Sequence, residues 1–148
     1  MNEEHVILLV EDNASDEELT LRALEKGHIG NKVVVTRDGA EALDFLFARG
    51  GHASRDARVV PQVVLLDLNL PKVSGLEVLR QIRADERTKL LPVVIMTSSK
   101  EDRDLVGSYE SGANSYVVKP VNFTQFAEAV KQLGMYWLVL NQVPPPRT

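Results

Sequence analysis

The run Val63-Val64-Leu65-Leu66, followed at once by Asp67, constrains the fold of this chain more than any other feature. Four apolar residues without a polar break are typical of a strand buried on both faces, as in a parallel sheet covered by helices. Open sheets of this kind bind ligands beyond the carboxyl ends of their strands, which is where Asp67 lies. Taken alone, Asp67 fits a helix cap or a solvated loop acid as well as it fits a functional carboxylate.

Four further apolar runs surround this strand, and segments with helical periodicity separate them. The runs occupy residues 6–10, 33–36, 92–96 and 115–118. Alternation of strands and helices at this spacing is typical of repeated βαβ units. The sequence therefore predicts one α/β domain over residues 1–148, a doubly wound parallel sheet of five strands with helices on both faces. The stretch 50–61, before the central strand, is expected to be a surface loop with little regular structure.

Composition limits the classes of protein to which the chain can belong. The net charge of −4, from 17 basic and 21 acidic residues, argues against binding to the phosphate backbone of nucleic acids. Cys is absent, which excludes disulfides, thiol nucleophiles and thiolate metal sites. No secretory leader precedes the first strand, and no apolar run approaches the ~20 residues of a membrane span. We therefore expect a cytoplasmic protein that binds neither nucleic acid nor a membrane.

Polar residues stand at the ends of four predicted strands, namely Glu11, Asp12, Asp67, Thr97 and Lys119. In a parallel sheet these ends lie at one edge, so residues distant in sequence converge there. At about 4 Å and an effective dielectric near 20, each pair of like charges costs roughly 4 kcal/mol. Either a cation offsets this repulsion or one acid keeps its proton.

Mg²⁺ suits such an acidic cluster because it prefers oxygen ligands. Asp12 and Asp67 could bind it directly, with the backbone carbonyl of Asn69 as a further ligand and Glu11 acting through water. Lys119 adds a charge suited to a phosphoryl oxygen, and a hydroxyl donor follows the fourth strand. Together these groups indicate phosphoryl transfer to Asp67. The alternative is a structural Lys–carboxylate pair with capping acids.

The same strand ends resemble the receiver domain of two-component response regulators, over about residues 5–135. The resemblance rests on four ordered motifs: Val10-Glu11-Asp12-Asn13, Leu66-Asp67-Leu68-Asn69-Leu70-Pro71 with Gly75, Met96-Thr97-Ser98, and Val118-Lys119-Pro120. It implies a flavodoxin-like fold with the strand order 2-1-3-4-5. It also implies a receiver without an output domain, because the residues after Lys131 offer neither a DNA-reading helix-turn-helix nor a catalytic module.

Carried over residue by residue, the resemblance makes Asp67 the phosphoacceptor and a sensor histidine kinase its phosphoryl donor. The implied ligands of Mg²⁺ are Asp12, Asp67, Glu11 and the backbone carbonyl of Asn69. Thr97 and Lys119 would contact the phosphoryl group.

Three further features follow from the resemblance. Tyr116 occupies the aromatic switch position, where the ring turns inward when Thr97 moves toward the phosphate; apart from the family it fits a core or edge aromatic. The Lys119-Pro120 peptide bond is expected to be cis. The loop at 50–61 and the segment 71–75 look most like those of receivers that partner with bacterial phytochrome histidine kinases.

The last predicted helix, from Asn122 to about Asn141, becomes apolar over nearly all of its circumference. Its apolar side chains form a stripe with i+3 and i+4 spacing and a flanking group: Phe126, Val130, Leu133, Trp137 and Leu140, with Tyr136, Leu138 and Val139. This surface either folds back on its own chain or forms a protein interface. We predict the second, most simply a symmetric homodimer.

Two other functions remain open from the sequence. A phosphatase with an aspartyl-phosphate intermediate commonly places a second acid two residues after the nucleophile, and here Asn69 occupies that position. An interaction module that ignores phosphate would have no need of the acidic site. We therefore expect a signalling protein rather than an enzyme, whose only chemistry is its own phosphorylation and dephosphorylation.

Overall fold

The computed structural model describes residues 6–26, 32–119, 122–134 and 136. Its strands are β1 Ile7–Val10, β2 Val33–Thr36, β3 Val63–Leu66, β4 Val93–Thr97 and β5 Ser115–Val118. All of them pair in parallel, in the order β2-β1-β3-β4-β5. The doubly wound sheet predicted from the apolar runs, and the strand order implied by the resemblance, are thereby confirmed.

In the described part of the chain, five α-helices connect or follow the strands: α1 Ala14–Lys26, α2 Gly39–Phe47, α3 Gly75–Ala84, α4 Asp102–Glu110 and α5 Phe123–Gly134. The side chains of Asn13, Asp38 and Ser74 each accept a backbone N–H from the first turn of α1, α2 and α3. Such caps satisfy N–H groups that have no partner inside the helix. Within the ranges described, no helix is both long enough and apolar enough to span a membrane.

The helices cover both faces of the sheet and create two apolar clusters. On one face, side chains of α2 and α3, including Leu46 and Leu79, pack on Leu8 of β1. On the other face, α1 and α5 pack on alternate residues of the same strands, with Leu24 beside Leu9. The central strands β1, β3 and β4 are buried throughout, as their continuous apolar runs predicted.

Val130 is fully buried in the cluster between α1, α5 and the sheet, so its predicted place in a dimer interface is wrong. The i+3 and i+4 stripe of α5 serves the domain's own core at this position. Tyr136, by contrast, is 49% exposed. The side chains of Phe126 and Leu133, and all of residues 137–140, lie outside the described part of the chain.

The stretch 50–61 is more regular than expected. It begins with one turn of 3-10 helix at Gly50–His52. Arg55 then stacks over the Phe45 ring, with its guanidinium carbon 3.8 Å from the ring centroid. The same guanidinium donates to the carbonyl oxygens of Phe45 and Val59. The cation–π contact and the hydrogen bond to Phe45 thus anchor the loop to α2, and the hydrogen bond to Val59 closes the loop on itself.

Candidate functional site

The strand register brings the predicted site residues to one edge of the sheet. β1 and β3 pair up to their last residues, so Glu11 and Asp67 leave neighbouring strands side by side. β4 and β5 also end together, and the Lys119 N–H donates to the carbonyl oxygen of Thr97 at 2.8 Å. Four residues that are far apart in sequence therefore meet beyond the carboxyl ends of the strands.

The backbone that follows β3 is held against the start of α3. A Cβ on Gly75 would lie 2.2 Å from the carbonyl oxygen of Asp67 and 2.7 Å from the Cα of Leu68. The Gly75 N–H also donates to the Leu68 carbonyl at 3.0 Å. Since only glycine permits this approach, Gly75 lets α3 brace the segment that carries Asp67.

Three carboxylates form the acidic part of the site. Glu11, Asp12 and Asp67 each place an oxygen within 4.8 Å of the others, and only Asp12 is exposed. Oxygen donors at this spacing, open to solvent on one side, fit a hard divalent cation that keeps some of its water. The Asn69 N–H donates to Asp67 Oδ1 at 3.2 Å, while the ligand role of the Asn69 carbonyl stays a prediction.

Lys119 supplies a cation to this cluster. Its Nζ lies 2.6 Å from Glu11 Oε1, 2.9 Å from Asp16 Oδ2 and 3.2 Å from Asp67 Oδ2. Burial lowers the pKa of Lys119, but hydrogen bonds to Glu11 and Asp16 and the charge of Asp67 outweigh burial and hold this pKa above its ordinary value. Lys119 therefore remains an ammonium ion at physiological pH.

The pKa of Glu11 is also raised in this environment, which for an acid favours the neutral form. Burial raises the pKa of Glu11 to about 7, because the hydrogen bond and charge of Lys119 compensate only in part and the charge of Asp67 raises it further. The sequence left two ways to relieve the repulsion, a cation or a retained proton. Lys119 provides the first, and the raised pKa of Glu11 favours the second.

Asp16 is a site residue that sequence reasoning missed, because it was assigned only to the start of α1. Its carboxylate contacts Lys119 from the first turn of that helix. The available signal was its place in the first turn of the helix that follows β1, since such a helix begins at the edge of the sheet where the site lies.

Thr97 and Tyr116 are joined through the backbone of Ser99. The hydroxyl oxygen of buried Thr97 accepts the Ser99 N–H at 3.3 Å, and the Tyr116 hydroxyl donates to the Ser99 carbonyl at 3.0 Å. The Ser99 hydroxyl in turn donates to Asp104 Oδ2, in the first turn of α4, at 2.5 Å. Ser99 thus links Thr97 to Tyr116 in β5 and to Asp104 in α4. The predicted cis Lys119-Pro120 bond lies outside the described residues, because Pro120 is not among them.

Comparison with known proteins decides the family. The profile of the response regulator receiver domain matches residues 7–131. The chain belongs to this family. The resemblance predicted from the four strand ends is therefore confirmed.

Three proteins illustrate what this receiver is similar to. The probable methanogenesis regulatory protein FilR2 of Methanothrix harundinacea is 43% identical, over 95% of this chain and 88% of FilR2. The Mn²⁺-bound form of response regulator Rcp1, a Synechocystis protein, has a TM-score of 0.87 at 35% identity, covering 95% of this chain and 99% of Rcp1. The bacteriophytochrome response regulator RtBRR is 54% identical with a TM-score of 0.76, over 95% of this chain and 84% of that one.

Proposed function

We propose that this receiver accepts a phosphoryl group on Asp67 from a histidine kinase, in a Mg²⁺-dependent reaction, and signals by phosphorylation-dependent binding to other proteins. One observation carries the proposal: the Glu11, Asp12 and Asp67 carboxylates meet within 4.8 Å, and the Lys119 ammonium is bonded to Asp67. A carboxylate nucleophile, oxygen ligands for a metal and a buried cation are the groups that phosphoryl transfer needs.

In the proposed step, a carboxylate oxygen of Asp67 forms a bond to phosphorus while the bond from phosphorus to the donor breaks. The leaving group departs with the electron pair of that bond. Lys119, already 3.2 Å from Asp67 Oδ2, donates to a phosphoryl oxygen, and the Thr97 hydroxyl donates to another. Mg²⁺ bound by Asp12, Asp67, the Asn69 carbonyl and, through water, Glu11 would neutralise the charge of the phosphoryl oxygens.

The readout proposed for this step is a change at α4 and β5. If Thr97 turns toward the phosphoryl group, its hydroxyl no longer accepts the Ser99 N–H. Because the Tyr116 hydroxyl donates to the carbonyl of the same Ser99, the change at Thr97 would reach Tyr116 through this residue. The surface affected, residues 101–116, carries exposed apolar side chains on α4, including Val106 and Tyr109. These are side chains that a protein partner can cover.

The proposed phosphoryl donor is a phytochrome-type kinase, since RtBRR, a bacteriophytochrome response regulator, is 54% identical. We also propose that the receiver domain itself provides the signalling surface, a proposal supported by FilR2 and Rcp1, which match this chain over 88% and 99% of their own lengths. The proposal keeps the cytoplasmic location expected from the sequence. The net charge of −4 favours protein partners over nucleic acid.

The test is phosphorylation of the purified protein by a small acyl phosphate and Mg²⁺, followed by intact mass. We expect one phosphoryl adduct per chain, lost without Mg²⁺ and absent in Asp67→Asn, since an amide is too weak a nucleophile. The matched control is Asp56→Asn, which neutralises an exposed loop acid paired with Arg58 and should leave the adduct unchanged. An adduct that persists in Asp67→Asn contradicts the assignment.

The same experiment separates the two rival functions. A phosphatase would turn over the acyl phosphate rapidly with no lasting adduct, but Asn69 stands where such enzymes place their second acid. A phosphate-independent module would form no adduct at all. The intact carboxylate cluster and its bonded Lys119 favour the signalling receiver over both.

We further propose a homodimer through the C-terminal segment, supported by the 49% exposure of Tyr136 and the apolar residues 137–140 that follow it. The proposed interface excludes Val130, because this side chain is buried in the core of the domain. Removing residues 136–148 is expected to leave a folded receiver that sediments as a monomer, while the full chain sediments as a dimer. Equal sedimentation of the two proteins would exclude this interface.

A further inference from the structure

Asp16 holds the Lys119 ammonium from the side of α1. Its backbone N–H donates to the capping Asn13 Oδ1 at 2.9 Å, and its carbonyl accepts the Thr20 hydroxyl at 2.8 Å. The backbone of Asp16 is therefore fixed by the helix, and its carboxylate reaches Lys119 Nζ at 2.9 Å. The side chain remains 33% exposed, unlike the other two acids on this ammonium.

An ammonium group has three N–H donors, and here three carboxylates take them: Glu11, Asp16 and Asp67. A phosphoryl oxygen needs one of these donors. We propose that Asp16 is a positioning residue that restrains phosphoryl transfer to Asp67 by holding Lys119 toward α1. This inference rests on the proposed function. It adds a restraint on the rate of phosphoryl transfer by Asp16, a residue that belongs to none of the motifs on which the family resemblance rests.

Asp16, rather than Glu11, is the acid that competes with the phosphoryl group. Glu11 is buried 2.6 Å from the ammonium, and a buried carboxylate is costly to leave without a partner. Asp16 can exchange its hydrogen bond for water, because a third of its side chain is exposed. Its charge also opposes the extra negative charge that arrives with the phosphoryl group.

The test compares Asp16→Asn with Glu18→Gln, a control that removes an acid of the same helix, 71% exposed and paired with Arg22. We expect the rate constant for Mg²⁺-dependent phosphorylation by the acyl phosphate to rise about threefold to tenfold in Asp16→Asn. In Glu18→Gln the rate constant should remain within about twofold of the starting protein. Because the restraint is electrostatic and partly solvated, the gain should fall below about twofold in ~1 M salt, where the Debye length is ~3 Å.

A second readout needs neither metal nor phosphate. The three hydrogen bonds should slow the exchange of the Lys119 ammonium protons with water, and Asp16→Asn should speed this exchange at least about threefold in NMR spectra. Glu18→Gln should leave it unchanged. Asp16→Ser, which also removes the charge but keeps a polar residue in the first turn, should act like Asp16→Asn in both measurements.

The outcomes separate this inference from the function on which it rests. In one outcome the starting protein forms an adduct at Asp67 while both folded Asp16 variants react no faster than the starting protein. That result would overturn the restraint by Asp16 and leave the proposed function supported. A lower melting temperature with unchanged phosphorylation and proton exchange would mean that Asp16 only stabilises α1. If no adduct forms at Asp67 in any of these proteins, the function and the inference fall together.

Discussion

Replacing Gly75 with alanine is expected to lower the free energy of unfolding by about 3 kcal/mol, the upper part of the range for overpacked sites. The new methyl group would lie 2.2 Å from the Asp67 carbonyl oxygen and 2.7 Å from the Leu68 Cα. Both are backbone atoms, which cannot turn away as a side chain can. Either α3 or the segment that carries Asp67 has to shift, so phosphorylation should weaken together with stability.

Gly51→Ala is the matched control for this substitution. A Cβ at Gly51 would have no neighbour within 4 Å, and its backbone is not left-handed. We expect the free energy of unfolding of this variant to stay within about 0.5 kcal/mol of the starting protein. Urea unfolding followed by circular dichroism measures both variants. Coincident curves for Gly75→Ala and Gly51→Ala would mean that the close approach of α3 to Asp67 carries no energetic weight.

The second large effect is a dependence of stability on pH that originates at Glu11. Burial raises the pKa of Glu11 from 4.5 to about 7 in the folded protein. Between these values the folded state holds the proton and the unfolded chain releases it. The contribution of Glu11 to stability is therefore fully present below pH 4.5 and is lost as the pH rises through 7. The shift in pKa corresponds to about 3 kcal/mol.

Glu11→Gln removes this titration, because an amide cannot ionise. In metal-free buffer, the unfolding free energy of Glu11→Gln minus that of the starting protein should increase by about 3 kcal/mol from pH 4.5 to about pH 8. Glu18→Gln, which changes an exposed acid of α1, should follow the starting protein at every pH. A difference between Glu11→Gln and the starting protein that stays constant from pH 4.5 to about pH 8 would show that folding does not raise the pKa of Glu11.

The sheet and most of the acidic site could be predicted from the sequence because both follow from strand ends. A run such as 63–66 is typical of a strand buried on both faces, and parallel strands present their carboxyl ends at one edge. The convergence of Glu11, Asp67, Thr97 and Lys119 needed only that rule. Apolar periodicity is read from a few neighbouring residues, and the rule for strand ends holds for any parallel sheet. Both can therefore be applied without coordinates.

Contacts that depend on the rotation of a helix or the path of a loop could not be predicted in this way. Asp16 reaches Lys119 because α1 starts at Ala14 and its first turn lies beside the residue that follows β5. The loop at 50–61 is held in place by Arg55, which lies over the Phe45 ring. No rule of residue spacing predicts this pair. Each of these contacts joins an element to a neighbour whose orientation the sequence does not encode locally.

Val130 illustrates a different reason for a wrong prediction. An i+3 and i+4 apolar stripe shows that one face of a helix is covered, but it does not show what covers it. In α5 the cover at Val130 is the domain's own α1 and sheet. Core and interface use the same residue types, so the stripe could not divide one from the other.

The position of Lys119 has a consequence for how the protein is made. Its ammonium joins carboxylates that lie 108, 103 and 52 residues earlier in the chain. During synthesis the acids of β1, α1 and β3 emerge from the ribosome long before the one cation that binds all three. A nascent or prematurely terminated chain that ends before β5 carries the carboxylates without their lysine. On the proposed function, a chain that ends before β5 would therefore lack the ammonium that contacts the phosphoryl group on Asp67.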